Sequence, residues 1–290
     1  MDIRAIIMGL AFAFMWSSAF TSARIIVASA PPVSALALRF LLSGLLGVLI
    51  ARALGQSWRL TPPQWRATIV FGICQNALYL GLNFVAMQTI EASLAAIIAS
   101  TMPLLVALAG WVFFRERLAL MTSLGLIAGI TGVAIIMGSR LSGGVDTYGL
   151  LLSVGGVLAL TLATMMVRGA TSGGNFLMIV GLQMLVGSAV LTLVAVTTGE
   201  VIDVTWSWQL IAAFAYTTLV PGLAATLVWF LLVERIGATR AATFHFLNPF
   251  LGVSIAAILL SEALRFYDII GVLVITGGIL AVQLSRQTPR

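Results

Sequence analysis

The sequence predicts an all-α polytopic membrane protein with ten transmembrane helices, arranged as two inverted five-helix repeats. Of its 290 residues, 61% are hydrophobic and only 8% are charged, which is far from the composition of soluble domains. In addition, one proline, one glutamate and two glycines recur in the same order 146 residues later. The first set is Pro103, Glu116, Gly125 and Gly132, and the second is Pro249, Glu262, Gly271 and Gly278. Because five is an odd number, the second copy of a five-span unit lies upside down in the membrane.

Ten apolar segments reach the length of about twenty residues that a transmembrane helix requires. Arginines, prolines and short polar stretches separate them. The predicted spans are residues 5–25, 33–51, 67–88, 93–114, 121–138, 148–167, 175–197, 208–232, 240–260 and 267–285. The first repeat is therefore predicted over residues 1–138 and the second over 148–290, with a linker at 139–147.

The basic residues indicate how the chain is oriented in the membrane. All fifteen are arginines, and an N-terminus in the cytoplasm places eleven of them on the cytoplasmic side. Only Arg24, Arg140 and Arg265 then fall near the opposite face, and Arg39 lies inside the second span. Such an excess of cytoplasmic arginine is typical of membrane proteins. It predicts that both termini are cytoplasmic and that the net charge of +6 reflects topology and not nucleic-acid binding.

The chain offers little material for catalysis or metal binding. It has one histidine, one cysteine and no predicted carboxylate at mid-membrane, whereas catalysis needs a positioned acid, base, nucleophile or metal. Cys74 is interpreted as a packing residue of the third span. We therefore expect no enzyme activity, no catalytic residue, no metal and no cofactor.

Polar side chains within the spans predict the substrate pathway, because they are costly in hydrocarbon and face the bundle interior or a watery cavity. In the third span, Gln75, Tyr79 and Asn83 follow each other at four-residue spacing. On an α-helix, this spacing places them in one stripe. Together with Asn76, they are the strongest candidates for a cavity surface.

The first and ninth spans supply aromatic and titratable candidates. Trp16 lies deep in its span, where its indole either stacks on a ligand ring or packs in the core. His245, the only histidine, is either a proton relay or part of a structural or gating hydrogen bond. Ser17 and Phe20 in the first span and Asn248 in the ninth belong to the same predicted site.

Further residues complete the predicted site. Arg39 either snorkels outward or presents a cation to a carboxylate, and Trp229 either faces lipid or packs. The other predicted substrate-binding residues are Ser100, Thr101, Thr164 and Tyr216. Because proline removes a backbone donor within a span, kinks with a role in gating are predicted at Pro103, Pro221 and Pro249.

Two strings in the sequence resemble a known family. Phe113-Phe114-Arg115-Glu116-Arg117-Leu118, followed by Gly125 and Gly132, resembles the junction of the fourth and fifth helices in EamA-type carriers of the drug/metabolite transporter superfamily. Ser261-Glu262-Ala263-Leu264 resembles the same junction in their second half. The resemblance implies an inverted-repeat carrier with a central cavity lined by both halves. Both glutamates are expected to stabilise helix ends.

Within that family, the string Trp16-Ser17-Ser18-Ala19-Phe20 is similar to the first helix of bacterial exporters of aromatic amino acids. The resemblance therefore implies a secondary transporter of the bacterial inner (plasma) membrane that exports aromatic or other bulky neutral amino acids by alternating access. The absence of a predicted carboxylate or cluster of cations at mid-membrane favours a small neutral or zwitterionic substrate.

The sequence leaves several alternatives to amino acid export open. They are an exporter of lipophilic drugs or other small metabolites, a channel or helical scaffold, and a membrane enzyme. The expected partners are a small-molecule substrate and the lipid bilayer. The oligomeric state is open and compatible with a monomer.

Overall fold

The computed structural model describes residues 3–115, 118–166 and 173–285, which form helices joined by short connections. The helices, some of them joined end to end, form ten segments that are long and apolar enough to cross a bilayer. The ten predicted spans are thus confirmed. The helices are α1 Ile3–Val27, α2 Pro32–Ala53, α3 Pro62–Phe71, α4 Leu80–Ala86, α5 Ala92–Ser100, α6 Met102–Phe114, α7 Leu120–Ser142, α8 Thr147–Met166, α9 Phe176–Thr198, α10 Trp208–Leu219, α11 Ala225–Ile236, α12 Ala238–Ala242, α13 Asn248–Leu260 and α14 Phe266–Ser285.

Four of the spans are interrupted. The third passes from α3 to α4 through the π-helical segment Gly72–Tyr79, and the eighth passes from α10 to α11 through the π-helical segment Val220–Ala224. The fourth breaks between α5 and α6, and the ninth contains the 3-10 turn Thr243–Leu247 before α13.

The three prolines that predict kinks all lie at such interruptions. Pro103 is in the first turn of α6, Pro249 is in the first turn of α13, and Pro221 is inside the second π-helical segment. A proline lacks the N–H that would continue the helical hydrogen-bond ladder. Helix breaks are therefore found at these positions, while their role in gating stays a prediction.

The chain forms two compact units, and each takes helices from both predicted repeats. The first unit comprises Met1–Thr21, Ile90–Leu150 and Ala224–Arg290, and the second comprises Ser22–Thr89 and Leu151–Leu223. α7 continues through Ser142, so the helix extends into the predicted linker.

In the first unit, α7 and α14 pack closely because glycines face each other. A Cβ atom added at Gly125 would lie 2.7 Å from the carbonyl oxygen of Gly278, and one at Gly132 would lie 2.8 Å from that of Gly271. Position 125 of α7 meets position 278 of α14, and position 132 meets position 271, so the two helices are antiparallel. Gly271 and Gly278 lie 146 residues after Gly125 and Gly132, so each contact pairs a glycine with the counterpart of the other. Gly125, Gly132, Gly271 and Gly278 therefore allow the close approach of α7 and α14.

In the second unit, α2 and α9 pack in a related way. A Cβ atom at Gly44 would lie 3.0 Å from the carbonyl oxygen of Gly181, and the Ser188 hydroxyl donates to the Ala37 carbonyl over 2.8 Å. Here a displacement of 144 residues exchanges the two contacts. An inverted repeat produces this pattern, in which small residues are required at equivalent points of antiparallel helices.

The ends of α2 and α9 are capped by each other's flanking residues. The carboxylate of Glu200 accepts from the backbone N–H groups of Val33 and Ser34 at 3.0 and 2.7 Å. The side-chain oxygen of Gln56 accepts from the N–H of Met178 at 3.0 Å. Because the first N–H groups of a helix have no partner within it, these side chains complete both helix starts.

Candidate functional site

Four ring side chains of the first unit form an aromatic cluster, which we define as Phe12, Trp16, Trp229 and His245. Phe12 and Trp16 lie one turn apart on α1, Trp229 is on α11, and His245 is in the 3-10 turn. The imidazole centroid lies 5.3 Å from Phe12, 6.1 Å from Trp16 and 5.2 Å from Trp229. These separations are those of favourable aromatic pairs.

One ring of the cluster is buried and the other three are more accessible. Phe12 is fully buried, whereas the side chains of Trp16, Trp229 and His245 are half-buried. Trp229, for which the sequence leaves lipid exposure and packing open, packs on Phe12 with the ring centroids 4.7 Å apart. Three of the four rings therefore keep part of their surface accessible.

A close helix contact fixes the turn that carries His245. A Cβ atom at Gly9 would lie 2.3 Å from the ring of Phe244, which precedes His245. The ring therefore rests directly against the backbone of α1, and a side chain at position 9 would require the ring to move. This contact explains locally why His245 lies beside Trp16.

Hydrogen bonds connect three of the predicted site residues. The amide nitrogen of Asn248 lies 2.9 Å from Nδ1 of His245, and the Ser17 hydroxyl lies 3.5 Å from the side-chain oxygen of Asn248. If the amide donates, Nδ1 is the acceptor and the imidazole proton is on Nε2. The structure thus brings Ser17, His245 and Asn248 together, as one polar edge of the aromatic cluster.

Other predicted residues of the first unit take part in local hydrogen bonds. The hydroxyls of Ser100 and Thr101 donate to the carbonyls of Ala96 and Ile98, both over 2.6 Å, at the break between α5 and α6. Phe20 is buried. The neighbouring hydroxyl of Thr21 is buried and has no partner among the described residues, so it is an available donor on the helix that carries Trp16.

In the second unit, the asparagines of the third span connect neighbouring helices. The Asn76 amide donates to the Gln183 carbonyl of α9 at 2.9 Å. The side-chain oxygen of Asn83 accepts from Ser153 of α8 at 3.1 Å, while its amide donates to the Tyr79 carbonyl at 2.8 Å. Both asparagines therefore hold helices together in this conformation.

The stripe predicted for the third span assumes a regular α-helix, but residues 72–79 are π-helical. A π-helix has a longer turn than an α-helix, so four-residue spacing does not keep side chains aligned through it. Tyr79 and Asn83 are fully buried, whereas Gln75 is half-buried. The role of all three in substrate binding stays a prediction.

The remaining polar candidates of the second unit lie on the sixth and eighth spans. The Thr164 hydroxyl donates to the Leu160 carbonyl of its own helix over 2.8 Å, and Tyr216 is half-buried one residue before Thr217. Arg39 of α2 is only 5% exposed and donates through Nε to the Thr217 carbonyl at 3.2 Å. It therefore does not snorkel outward.

A charged network that the sequence did not predict connects the end of α7 with the start of α14 in the first unit. Arg140 at the end of α7 donates from Nη2 to the carboxylate of Asp268 at 2.7 Å and also pairs with Glu91. Arg140 and Asp268 are almost completely buried. The signal was an arginine in the last turn of one helix and an aspartate in the first turn of its repeat counterpart.

The expected role of Glu262 at a helix end is confirmed. Its carboxylate accepts from the backbone N–H groups of Ala92 and Ser93, at 2.8 and 2.9 Å, in the first turn of α5. Negative charge at this end also interacts favourably with the helix dipole. The equivalent expectation for Glu116 lies outside the described residues.

Ten apolar helices with aromatic, amide and buried charged groups between them define a polytopic helical membrane protein. The chain belongs to the EamA-like transporter family, which matches residues 3–138 and 147–284. It is therefore a member of a family of membrane transporters, with a small-molecule substrate and a lipid environment.

Individual relatives agree with this assignment. The chain is 27% identical to the uncharacterized transporter YvbV of Bacillus subtilis (strain 168) over 276 residues, which cover 95% of this chain and 90% of the relative. It is 25% identical to the uncharacterized inner membrane transporter YedA of Escherichia coli (strain K12) over 281 residues, covering 94% and 88%. A solved crystal structure with 21% identity matches with a TM-score of 0.70 over 99% of both chains, which shows a shared fold.

Proposed function

We propose that the protein is a secondary transporter of the inner membrane that exports aromatic or other bulky neutral amino acids by alternating access. The observation that carries this proposal is the aromatic cluster with its polar edge. Three half-buried rings lie beside the hydrogen-bonded side chains of Ser17, His245 and Asn248. An apolar surface with a few convergent polar groups is the usual form of a small-molecule site.

The chemistry of the cluster fits an amphipathic solute. A ligand ring stacked on Trp16 or Trp229 gains about 0.5–1.5 kcal/mol beyond the burial of its area. The polar edge supplies amide, hydroxyl and imidazole groups, which hydrogen-bond to ammonium or carboxylate substituents. Of the carboxylates that the structure describes, Asp268 is buried and is already paired with Arg140. This leaves a neutral, aromatic surface suited to a zwitterion with a large side chain.

Alternating access requires helices that bend. In the proposal, the breaks at Pro103, Pro221 and Pro249 are the points at which the spans change direction. Gln75, Asn76, Tyr79, Asn83, Ser100, Thr101, Thr164 and Tyr216 line the substrate pathway in at least one conformation. Phe20 contributes apolar surface on α1. The breaks support bending, because a loosened hydrogen-bond ladder lowers the resistance to it.

Exchange in proteoliposomes tests the proposal. Vesicles containing the purified protein are loaded with labelled phenylalanine, threonine or a lipophilic cationic dye, and efflux is compared with that from protein-free vesicles. Saturable phenylalanine efflux that increases with unlabelled amino acid on the opposite side is expected. Efflux of the dye alone establishes the alternative of a drug exporter, and equal leakage of all amino acids with and without protein overturns the proposal.

A variant pair connects the flux with the aromatic cluster. Trp16→Ala removes a ring from the cluster and is expected to lower phenylalanine exchange about tenfold, since about 1.4 kcal/mol corresponds to that factor. The matched control is Trp206→Ala, because Trp206 lies in a connection and is 76% exposed. Equal exchange rates of the two variants would contradict a binding role for the cluster.

A further inference from the structure

Two backbone carbonyls beside the interruption of the eighth span accept hydrogen bonds from side chains of α2. Pro221 has no N–H and so cannot bond to the carbonyl of Thr217, four residues earlier. The adjoining π-helical segment shifts the following hydrogen bonds. Nε of Arg39 donates to the Thr217 carbonyl at 3.2 Å, and the hydroxyl of Ser43 donates to the Thr218 carbonyl at 3.2 Å. Two side chains one turn apart on α2 therefore satisfy the broken helix.

Hydrogen bonding to a carbonyl does not require a charged side chain. The hydroxyl of Ser43 performs the same task at Thr218 without a charge. A guanidinium carries five N–H groups, and among the described residues only the bond from Nε to Thr217 is found for Arg39. The terminal Nη groups, which form two parallel bonds with a carboxylate elsewhere in proteins, have no acceptor in the described part of the chain.

The positive charge of Arg39 also lacks a counter-ion there. The ion pairs among the described residues both belong to Arg140, which meets Asp268 and Glu91. Arg39 is as buried as Arg140, with exposed fractions of 5% and 3%. The guanidinium carbon lies 4.9 Å from the ring centroid of Phe40, a contact that weakly stabilises a cation. A buried charge without a partner is strongly unfavourable.

The acidic side chain that contacts the start of α2, Glu200, has other partners. Glu200 accepts from the N–H groups of Val33 and Ser34 and from the Ser34 hydroxyl. Arg39 lies five positions after Ser34, which corresponds to a rise of about 7.5 Å along an α-helix. Glu200 is therefore committed to the start of the helix and does not form an ion pair with Arg39.

We propose that Arg39 binds the carboxylate group of the transported solute. The guanidinium is held by Thr217 through Nε, which leaves both Nη groups for a two-bond contact with the carboxylate. Arg39 thereby sets specificity for carboxylate-bearing solutes, and the solute supplies the missing counter-ion inside the membrane. This inference rests on the proposed transport of amino acids.

The first experiment uses the wild-type protein and matched ring compounds. Labelled phenylalanine exchange is measured in proteoliposomes with excess 3-phenylpropionate, which has a carboxylate and no amine, or phenethylamine, which has an amine and no carboxylate. Inhibition by 3-phenylpropionate that is about tenfold stronger is expected from two charge-assisted hydrogen bonds. Equal inhibition, or stronger inhibition by phenethylamine, overturns the role of Arg39.

Variants separate recognition from a structural role. Arg39→Gln keeps an amide donor for the Thr217 carbonyl and removes the charge, and Arg39→Lys keeps the charge. We expect Arg39→Gln to abolish the preference for 3-phenylpropionate and Arg39→Lys to restore part of it. Arg140→Gln is the matched control, because it removes a buried arginine whose carboxylate partners are in the protein. It lowers stability and leaves the preference unchanged.

The outcomes distinguish the two proposals. If Arg39→Gln lowers the exchange rate but keeps the preference, Arg39 is a structural residue, while the proposed amino acid transport stands. If wild-type protein exchanges no amino acid, both proposals fail. If neither variant folds, the wild-type inhibition series still decides the preference for a carboxylate.

Discussion

Arg115 and Ser261 lie 146 residues apart and share a left-handed backbone conformation, with φ of 52° and 55°. Each directly follows a helix, α6 or α13, and each precedes a glutamate in the sequence. A left-handed residue ends a helix and reverses the chain direction. At Ser261 this turn is followed by Glu262, which caps α5. The two positions therefore share a backbone conformation although their side chains differ.

Glycine at position 261 should stabilise the protein. A residue with a Cβ atom in the left-handed region is strained by about 1–2 kcal/mol, and glycine is not. Because glycine also loses more chain entropy on folding, we expect Ser261→Gly to add at most about 1 kcal/mol. Thermal unfolding in detergent measures the change. Ser261→Ala keeps the Cβ atom and is the control, so an equal gain in both variants would refute the strain argument.

Removal of the Glu262 carboxylate should weaken the start of α5. Loss of a side-chain cap costs about 0.5–2 kcal/mol, so Glu262→Ala is expected to lower the unfolding temperature. Glu234→Ala is the control because Glu234 is exposed on α11. A smaller effect at Glu262 than at Glu234 would show that the two hydrogen bonds to Ala92 and Ser93 do not stabilise the fold.

Neighbouring glycines of α14 should differ sharply in their tolerance of a side chain. A Cβ atom at Gly278 would lie 2.6 Å from the Gly125 carbonyl oxygen, whereas one at Gly277 would meet nothing within 4 Å. We expect Gly278→Ala to cost about 1–3 kcal/mol through overpacking and Gly277→Ala to be neutral or stabilising. Folded yield and unfolding temperature are the measurements. Similar losses in both variants would contradict the packing of α7 against α14.

The spans were predictable because a transmembrane helix is specified by a single property, a long apolar run. The predicted repeat rests on positions where the same residue types recur, as with the glycines and prolines of α7, α14, α6 and α13. The related contacts of α2 and α9 were not predicted. There, Gly44 corresponds to Ser188, and Gln56 corresponds to Glu200, at a displacement of 144 residues. Different small or polar residues satisfy the same contact, so residue identity does not reveal it.

The candidate site was predictable in parts. Ser17, His245 and Asn248 were singled out as polar residues within spans, and the structure brings them together. Phe12 was missed, although its four-residue spacing from Trp16 places both rings on one face of α1. The alignment of the third span could not be foreseen, because a π-helical segment depends on packing and not on hydrophobic periodicity.

Removal of the negative charge of Asp268 should destabilise the first unit. Asp268 accepts two bonds from Arg140, at 3.2 and 2.7 Å, and is only 1% exposed. Removing one partner of a buried ion pair costs about 3–5 kcal/mol when the other charge is left alone. In Asp268→Asn, Arg140 keeps the partly exposed Glu91 as a partner, so we expect a smaller but clear decrease of the unfolding temperature. Asp203→Asn, in an exposed connection, is the control. Equal unfolding temperatures would show that the pair contributes nothing net.

Asn248 should matter more for transport than Ser17, because it holds His245. Its amide lies 2.9 Å from Nδ1 of His245, while the Ser17 hydroxyl lies 3.4 and 3.5 Å from the Asn248 oxygens. A well-formed hydrogen bond contributes about 1 kcal/mol, and bonds weaken with distance. We expect Asn248→Ala to slow phenylalanine exchange about fivefold and Ser17→Ala to have a smaller effect. Exchange rates per folded protein in proteoliposomes measure this order. If Ser17→Ala were the slower variant, this would contradict the positioning of the imidazole by Asn248. Ser17 would then be the more important hydrogen-bonding residue of the polar edge.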